Sequence, residues 1–128
     1  MSLKILIVDD EPDILNLYAR IFSEQDYSIM YAGSVTAAAA LIKANHFDLL
    51  ITELLFRDGL GTDLAQLFAK EFPGAKTLLV TGSRLEAGSF DLSAVSECLG
   101  KPLNIDKLMK AAANTLRKPR ETDCCVLA

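Results

Sequence analysis

Short apolar runs that end on polar residues and give way to helical periodicity recur along the chain, and this alternation constrains the fold more than any other feature. Residues 4–8 (KILIV) stop at Asp9-Asp10-Glu11-Pro12, after which Ile14, Tyr18, Ile21 and Phe22 return at helical spacing. The segment predicts strand, acidic turn, helix. Pro12 suits the first helical turn, where its missing N–H is no loss, and the acids before it complement the positive end of the helix dipole. A strand near residues 27–32, a helix opened by Ser34 and running to Lys43, and a strongly apolar strand over 48–54 repeat the pattern.

A third helix is expected over 62–72, stopped by Pro73-Gly74, followed by a buried strand over 77–81. Between Ser83 and Ser93 the helical signal is weak. A last strand near 96–99 leads through Lys101-Pro102 into a helix capped by Asn104, with Ile105, Leu108, Met109, Ala112 and Leu116 on one face. Five apolar strands alternating with five helices argue for an α/β fold: a doubly wound, five-stranded parallel sheet covered on both sides. In such sheets, ligands and chemistry gather at the carboxyl ends of the strands.

With 128 residues, 51% of them hydrophobic, the chain has material for one substantial core and none for a second domain of ordinary size. The expected domain is 1–118, with 119–128 a polar tail. A net charge of −4 opposes a large electrostatic footprint for nucleic acid or anionic membrane, since phosphate binding needs clustered Lys and Arg. Apolar stretches such as residues 3–8 are far shorter than the roughly 18 residues that span a bilayer. No basic, apolar and small-residue leader stands at the start, so a cytoplasmic location is expected. Three cysteines, two of them the adjacent Cys124 and Cys125, indicate no disulfide framework.

At the carboxyl ends of the first, third, fourth and fifth strands the pattern puts Asp9 and Asp10, Glu53, Thr81, and Lys101. Carboxylates suit a hard cation such as Mg²⁺, while a hydroxyl and an ammonium suit phosphoryl oxygens. Crowded acids repel one another, and Lys101 offsets part of that charge.

The succession VDDEP, DLLITELLFRDGLG, LLVTG and LGKPL resembles the receiver domain of bacterial two-component response regulators, over residues 3–117. The resemblance implies a flavodoxin-like (βα)5 fold with strand order 2-1-3-4-5. It also implies an acid pair, Asp9 and Asp10, that binds Mg²⁺, a phosphoacceptor position at Glu53, a hydroxyl at Thr81 and a phosphate-contacting Lys101. The backbone carbonyl of Leu55 completes the implied metal set of Asp9, Asp10, Glu53 and Leu55, and Gly61 fits the family's loop glycine.

Three positions depart from the family pattern. Glu53 stands where the family has Asp, Arg57 where it often has Pro, and Cys98 where a switch Tyr or Phe is usual. One extra methylene advances the Glu53 carboxylate by about 1 Å, and phosphoryl transfer depends on placement at that tolerance. Glu53 is therefore expected to reach toward Lys101 or Thr81 and make contacts like those of a phosphorylated Asp.

The main expectation is a receiver-like regulatory module, not an enzyme. It would act through contact with a histidine kinase or downstream effector, independently of aspartyl phosphorylation, as a monomer or weak homodimer. A second reading keeps phosphoryl transfer, onto Glu53 or a neighbouring acid such as Asp58. A third is a flavodoxin-like small-ligand binder, which Asp9, Asp10 and Glu11 oppose by repelling a flavin phosphate. Among lesser features, His46 is expected as an exposed helix-end residue, Cys98 as a small buried hydrophobe, and Cys125-Val-Leu-Ala128, despite its prenylation-like pattern, as part of an inert tail.

Overall fold

The strands owe their burial to residues that are apolar on both faces. In the computed structural model, which describes residues 3–82 and 89–117, β1 (Leu3–Val8), β2 (Tyr27–Ala32), β3 (Leu49–Thr52), β6 (Lys76–Thr81) and β7 (Glu97–Gly100) form one parallel sheet in the order β2-β1-β3-β6-β7. Numbered in chain order among themselves, the strands of this sheet lie in the order 2-1-3-4-5, as the resemblance implies. The period of two in a strand sorts side chains to opposite faces. Ile5 and Ile7 of β1 join Tyr18, Phe22, Ile51, Val80, Leu108 and Ala112 on one side, beneath α1 (Pro12–Ile21) and α4 (Ile105–Arg117). Leu6 and Val8 join Ala38, Ile42, Phe47, Leu50, Leu64 and Phe68 on the other, beneath α2 (Val35–Ala44) and α3 (Gly61–Glu71). The sheet is thus doubly wound, and its central strands are sealed from water.

Local signals set the helix starts as expected. Pro12 opens α1; the Ser34 hydroxyl accepts the Ala37 N–H at 3.0 Å; and the Asn104 side chain accepts the Lys107 N–H at 3.0 Å. His46 is exposed just past α2, edge-on to Phe72 with ring centroids 5.2 Å apart, while Asn45 Nδ2 donates to the Leu41 carbonyl of the last turn at 3.1 Å.

Several expectations need correction. Ile105 is 55% exposed, because it sits at the first residue of α4, ahead of the turn where Leu108 meets the sheet. Cys98 is exposed on β7, the edge strand of the sheet. Residues 89–95 form turns instead of the end of a helix. There Asp91 accepts the Ser93 N–H at 3.0 Å and the Gln66 amide of α3 at 2.7 Å, a local bonding pattern that competes with helix. Four helices stand among the described residues; residues 83–88 and the tail 119–128, with its cysteine pair, lie outside them.

The apolar strand expected over 48–54 ends at Thr52, and a small antiparallel hairpin, β4 (Leu55–Phe56) with β5 (Gly59–Leu60), follows before α3. Two constraints hold this hairpin. At Gly61 a Cβ would lie 1.9 Å from the Glu53 carbonyl oxygen, and the Gly61 N–H donates to the Leu54 carbonyl at 2.7 Å, so the backbone folds back on itself too tightly for any side chain. At the hairpin turn, Asp58 accepts the Val35 N–H at 3.1 Å, the Thr36 N–H at 2.8 Å and the Thr36 hydroxyl at 2.6 Å, capping α2 from outside that helix. The loop carrying Glu53 is thereby tied to the helix across the cleft.

Gly61→Ala is expected to destabilise the fold by about 2 kcal/mol or more through this clash, measured by urea denaturation. The hydrogen bonds from the Thr36 hydroxyl and N–H, then from Val35, hold the Asp58 carboxyl below its ordinary 3.8. A depressed folded-state pKa contributes stability that is complete above about 3.8 and is lost as pH falls through the lower folded value. Asp58→Asn should therefore lower the thermal midpoint at pH 7 and flatten its decline on acidification; equal pH profiles for the two proteins would contradict the cap.

Candidate functional site

The parallel ladder continues one residue past several strands and so lines up the chemistry. The Asp9 N–H donates to the Ala32 carbonyl at 3.1 Å, the Glu53 N–H to the Val8 carbonyl at 3.1 Å, and the Lys101 N–H to the Thr81 carbonyl at 3.0 Å. Asp9, Glu53, Thr81 and Lys101 consequently stand side by side at the carboxyl edge of β1, β3, β6 and β7, although 92 residues separate Asp9 from Lys101. The convergence expected from the alternating pattern is what the sheet order produces.

Lys101 Nζ sits among the acids. It donates to Asp9 Oδ2 at 2.9 Å, pairs with Glu53 Oε1 at 3.0 Å and lies 3.8 Å from Glu11 Oε1. Asp9 is 1% exposed, and the Lys101 and Glu53 side chains 13% and 12%. Charges so shielded are tolerated only when paired and fully hydrogen-bonded. That condition is met: Asp9 Oδ1 accepts the Glu11 N–H at 2.9 Å, and Glu53 Oε2 accepts the Leu54 N–H. Burial alone would lower the pKa of the ammonium, but hydrogen bonds to Asp9 and Glu53 and the field of the same carboxylates outweigh it and hold Lys101 above the ordinary 10.5. Beneath them, burial first, then the negative charge of Asp9 and Glu53, pushes the Tyr18 phenol upward.

Asp10 is exposed at the mouth. Its carboxylate oxygen, with one each from Asp9 and Glu11, falls in a group whose members all lie within 4.8 Å of one another, a spacing a hard cation can bridge. Glu53, expected in the metal set, is held on Lys101 instead, and Leu55 lies in β4 paired with Leu60, 47% exposed. Glu11 is the residue that sequence reasoning missed. The sequence marks it as an acid beside the helix and one that repels a flavin phosphate, not as a member of the metal set, yet it reaches both the cation-sized cluster and Lys101. The signal was present: Glu11 directly follows the acid pair and, as the N-cap of α1, makes no side-chain cap bond.

Thr81 is buried at the end of β6. Arg57 is exposed at the hairpin turn, beside an Asp58 whose two oxygens are occupied at the start of α2. The Cys98 thiol is pushed up by partial desolvation and by the neighbouring Glu97 carboxylate, the opposite of what a reactive thiolate needs.

Comparison with known proteins agrees with this geometry. Residues 5–113 match the family described as the response regulator receiver domain. The response regulator protein PilR of Pseudomonas aeruginosa is 32% identical over 89% of this chain and 26% of its own length. The nitrogen assimilation regulatory protein NtrX of Azorhizobium caulinodans is 30% identical over 94% of this chain and 28% of its own. The chain thus spans about a quarter of the length of these curated relatives. Among solved structures, a CheY-like receiver domain from Methanospirillum hungatei superposes with a TM-score of 0.83 at 30% identity, covering 91% of this chain and 94% of that one. The response regulator TrrA of Thermotoga maritima, solved in complex with Mg²⁺-BeF, superposes with a TM-score of 0.81 at 27% identity, covering 90% and 99%. The acidic strand-end pocket, the sheet order and the family match together make this chain a member of the response regulator receiver domain family.

Proposed function

We propose that the chain is a receiver-type regulatory module whose pocket is set by Glu53 instead of by phosphorylation, and that it works by contact with other proteins. The observation that carries this reading is the 3.0 Å ion pair from Glu53 Oε1 to Lys101 Nζ. With Glu53 at the phosphoacceptor position, its longer side chain delivers negative charge to the lysine that would otherwise meet a phosphoryl oxygen. Its two oxygens are engaged by Lys101 and by the Leu54 N–H, which hold the carboxylate against the lysine. Glu53 carries the same single charge as the family's Asp but sets it one methylene further forward, on the lysine that a phosphoryl oxygen would otherwise meet.

Asp9, Asp10 and Glu11 are the residues that would hold a divalent cation. Such a cation, when bound, neutralises charge on transferred phosphoryl oxygens. Thr81 would lend its hydroxyl to those oxygens, and Lys101 its charge. With Glu53 in place, the module transmits a state and does not turn over a substrate. Its partners are histidine kinases or effectors, met as a monomer or weak homodimer in the cytoplasm. The longer relatives attach a receiver to other segments, and their regulatory outputs belong to them.

A second reading, phosphoryl transfer to Glu53, draws on the retained acid pair, Thr81 and Lys101. One experiment separates the two. Incubation with acetyl phosphate and Mg²⁺ should leave the intact mass of the wild-type protein unchanged, whereas Glu53→Asp should acquire one phosphoryl group. A metal-dependent phosphoryl adduct mapped to Glu53 in the wild type would overturn the proposal. Removing the carboxylate by Glu53→Gln should weaken binding to an identified partner by about tenfold, because the lysine loses its set position.

A further inference from the structure

We propose that the outer edge of β2 is a contact surface for a second copy of this chain, which adds its own β2 antiparallel and joins the two sheets. The proposal holds whichever way Glu53 is read. β2 is one of the two edge strands of the sheet, paired with β1 on one flank and, among the described residues, with no strand on the other. Its pairing with β1 runs unbroken from Tyr27 to Ala32, and the Asp9 N–H donates to the Ala32 carbonyl at 3.1 Å. Because backbone groups alternate along a strand, Ser28, Met30 and Ala32 turn theirs toward β1, while Tyr27, Ile29 and Tyr31 turn theirs outward. Those outward residues are aromatic or β-branched, the types that strands favour.

Edge strands ordinarily carry a guard against pairing with other chains: a charge, a proline, a bulge or a short length. β2 has none of these. Its 6 residues, YSIMYA, include no charged residue, no proline and no glycine, and its ladder with β1 has no bulge. The opposite edge, β7, is shorter, at 4 residues, and carries Glu97 and Gly100. The β2 edge is also self-complementary. With a two-fold axis through Ile29, perpendicular to the sheet, Ile29 meets its own counterpart and Tyr27 meets Tyr31 of the second copy. The outward N–H and C=O groups of these residues then find partners, and the side chains brought opposite one another lie on the same face. Each tyrosine pair is an aromatic cross-strand contact, and Tyr31, 38% exposed, gains cover from it. Like charges do not meet, since the adjoining acid, Asp26, falls opposite Ala32. On the other face of the sheet, α2 exposes Ala37, Ala40 and Ala44, side chains too short to hold a second copy away. One strand per copy is a small contact, so the dimer belongs to the transient class of interfaces.

Sedimentation velocity of the full chain in reducing buffer, from about 10 µM to about 1 mM, should show monomer at the lower end and a growing dimer fraction at the upper end. Amide hydrogen exchange read by NMR over the same range locates the contact in the wild type, without depending on a variant that folds. The Tyr27, Ile29 and Tyr31 amides should gain protection as concentration rises, and those of Glu97–Gly100 should not. Tyr31→Lys should weaken dimerisation about fivefold or more, whereas Cys98→Ser, on the other edge, should leave it unchanged. A chain that stays monomeric at about 1 mM, or a dimer whose new protection maps away from β2, would overturn the proposal. So would β2 amides equally protected at every concentration, which would mean that the chain covers this edge itself. All of these readouts are taken without a phosphodonor, so they stand apart from the test of Glu53.

Discussion

A single ammonium group shared by shielded carboxylates organises the functional end of this molecule. Asp9 is almost wholly removed from water, and a buried carboxylate without a partner would either take up a proton or unfold its surroundings. Lys101 is the partner of Asp9, and it joins β1, β3 and β7, the first, third and fifth strands of the sheet in chain order, at their carboxyl ends. A buried ion pair is weak evidence for net stability, because desolvation offsets much of the attraction, but it is strong evidence for a defined arrangement. Here the arrangement brings Asp9, Glu53 and Lys101 together at the strand ends.

The loop that presents Glu53 is braced from two directions. Gly61 lets α3 start with its backbone against the Glu53 carbonyl, and Asp58 reaches across to cap α2. Neither contact touches Lys101, yet both limit how far the Glu53 backbone can move. An extra methylene in a loosely held loop could be absorbed by backbone motion. In a braced loop it is expressed at the carboxylate, whose Oε1 lies 3.0 Å from Lys101 Nζ.

Much of the fold was legible because it is written in local periodicity. Apolar runs buried on both faces, the Pro12, Ser34 and Asn104 helix starts, and the Pro73-Gly74 stop report interactions among residues near in sequence, and the structure follows them. The errors fall where long-range packing decides. Ile105 matches the apolar face of α4 in sequence but precedes the turn that reaches the sheet. Cys98 reads as core, but β7 is an edge strand, so one flank of it has no neighbouring strand. The β4–β5 hairpin was missed because the apolar run 48–54 looks continuous, while Arg57-Asp58-Gly59 turns the chain, with Gly59 at φ 156°.

The sequence by itself determined the inventory of the site: which residue types stand at the ends of which strands, and that a glutamate occupies the third. Side-chain type and strand order suffice for that, since a right-handed parallel α/β sheet gathers strand ends on one edge. Only the tertiary structure decided how the carboxylate oxygens are used. Lys101 faces Asp9 and Glu53, Glu11 joins the acidic group, and Asp58 serves α2 instead of the pocket. Partnerships of this kind form across 92 residues for Asp9 and Lys101 and 22 for Thr36 and Asp58, and they depend on distances of a few tenths of an ångström that no local periodicity encodes.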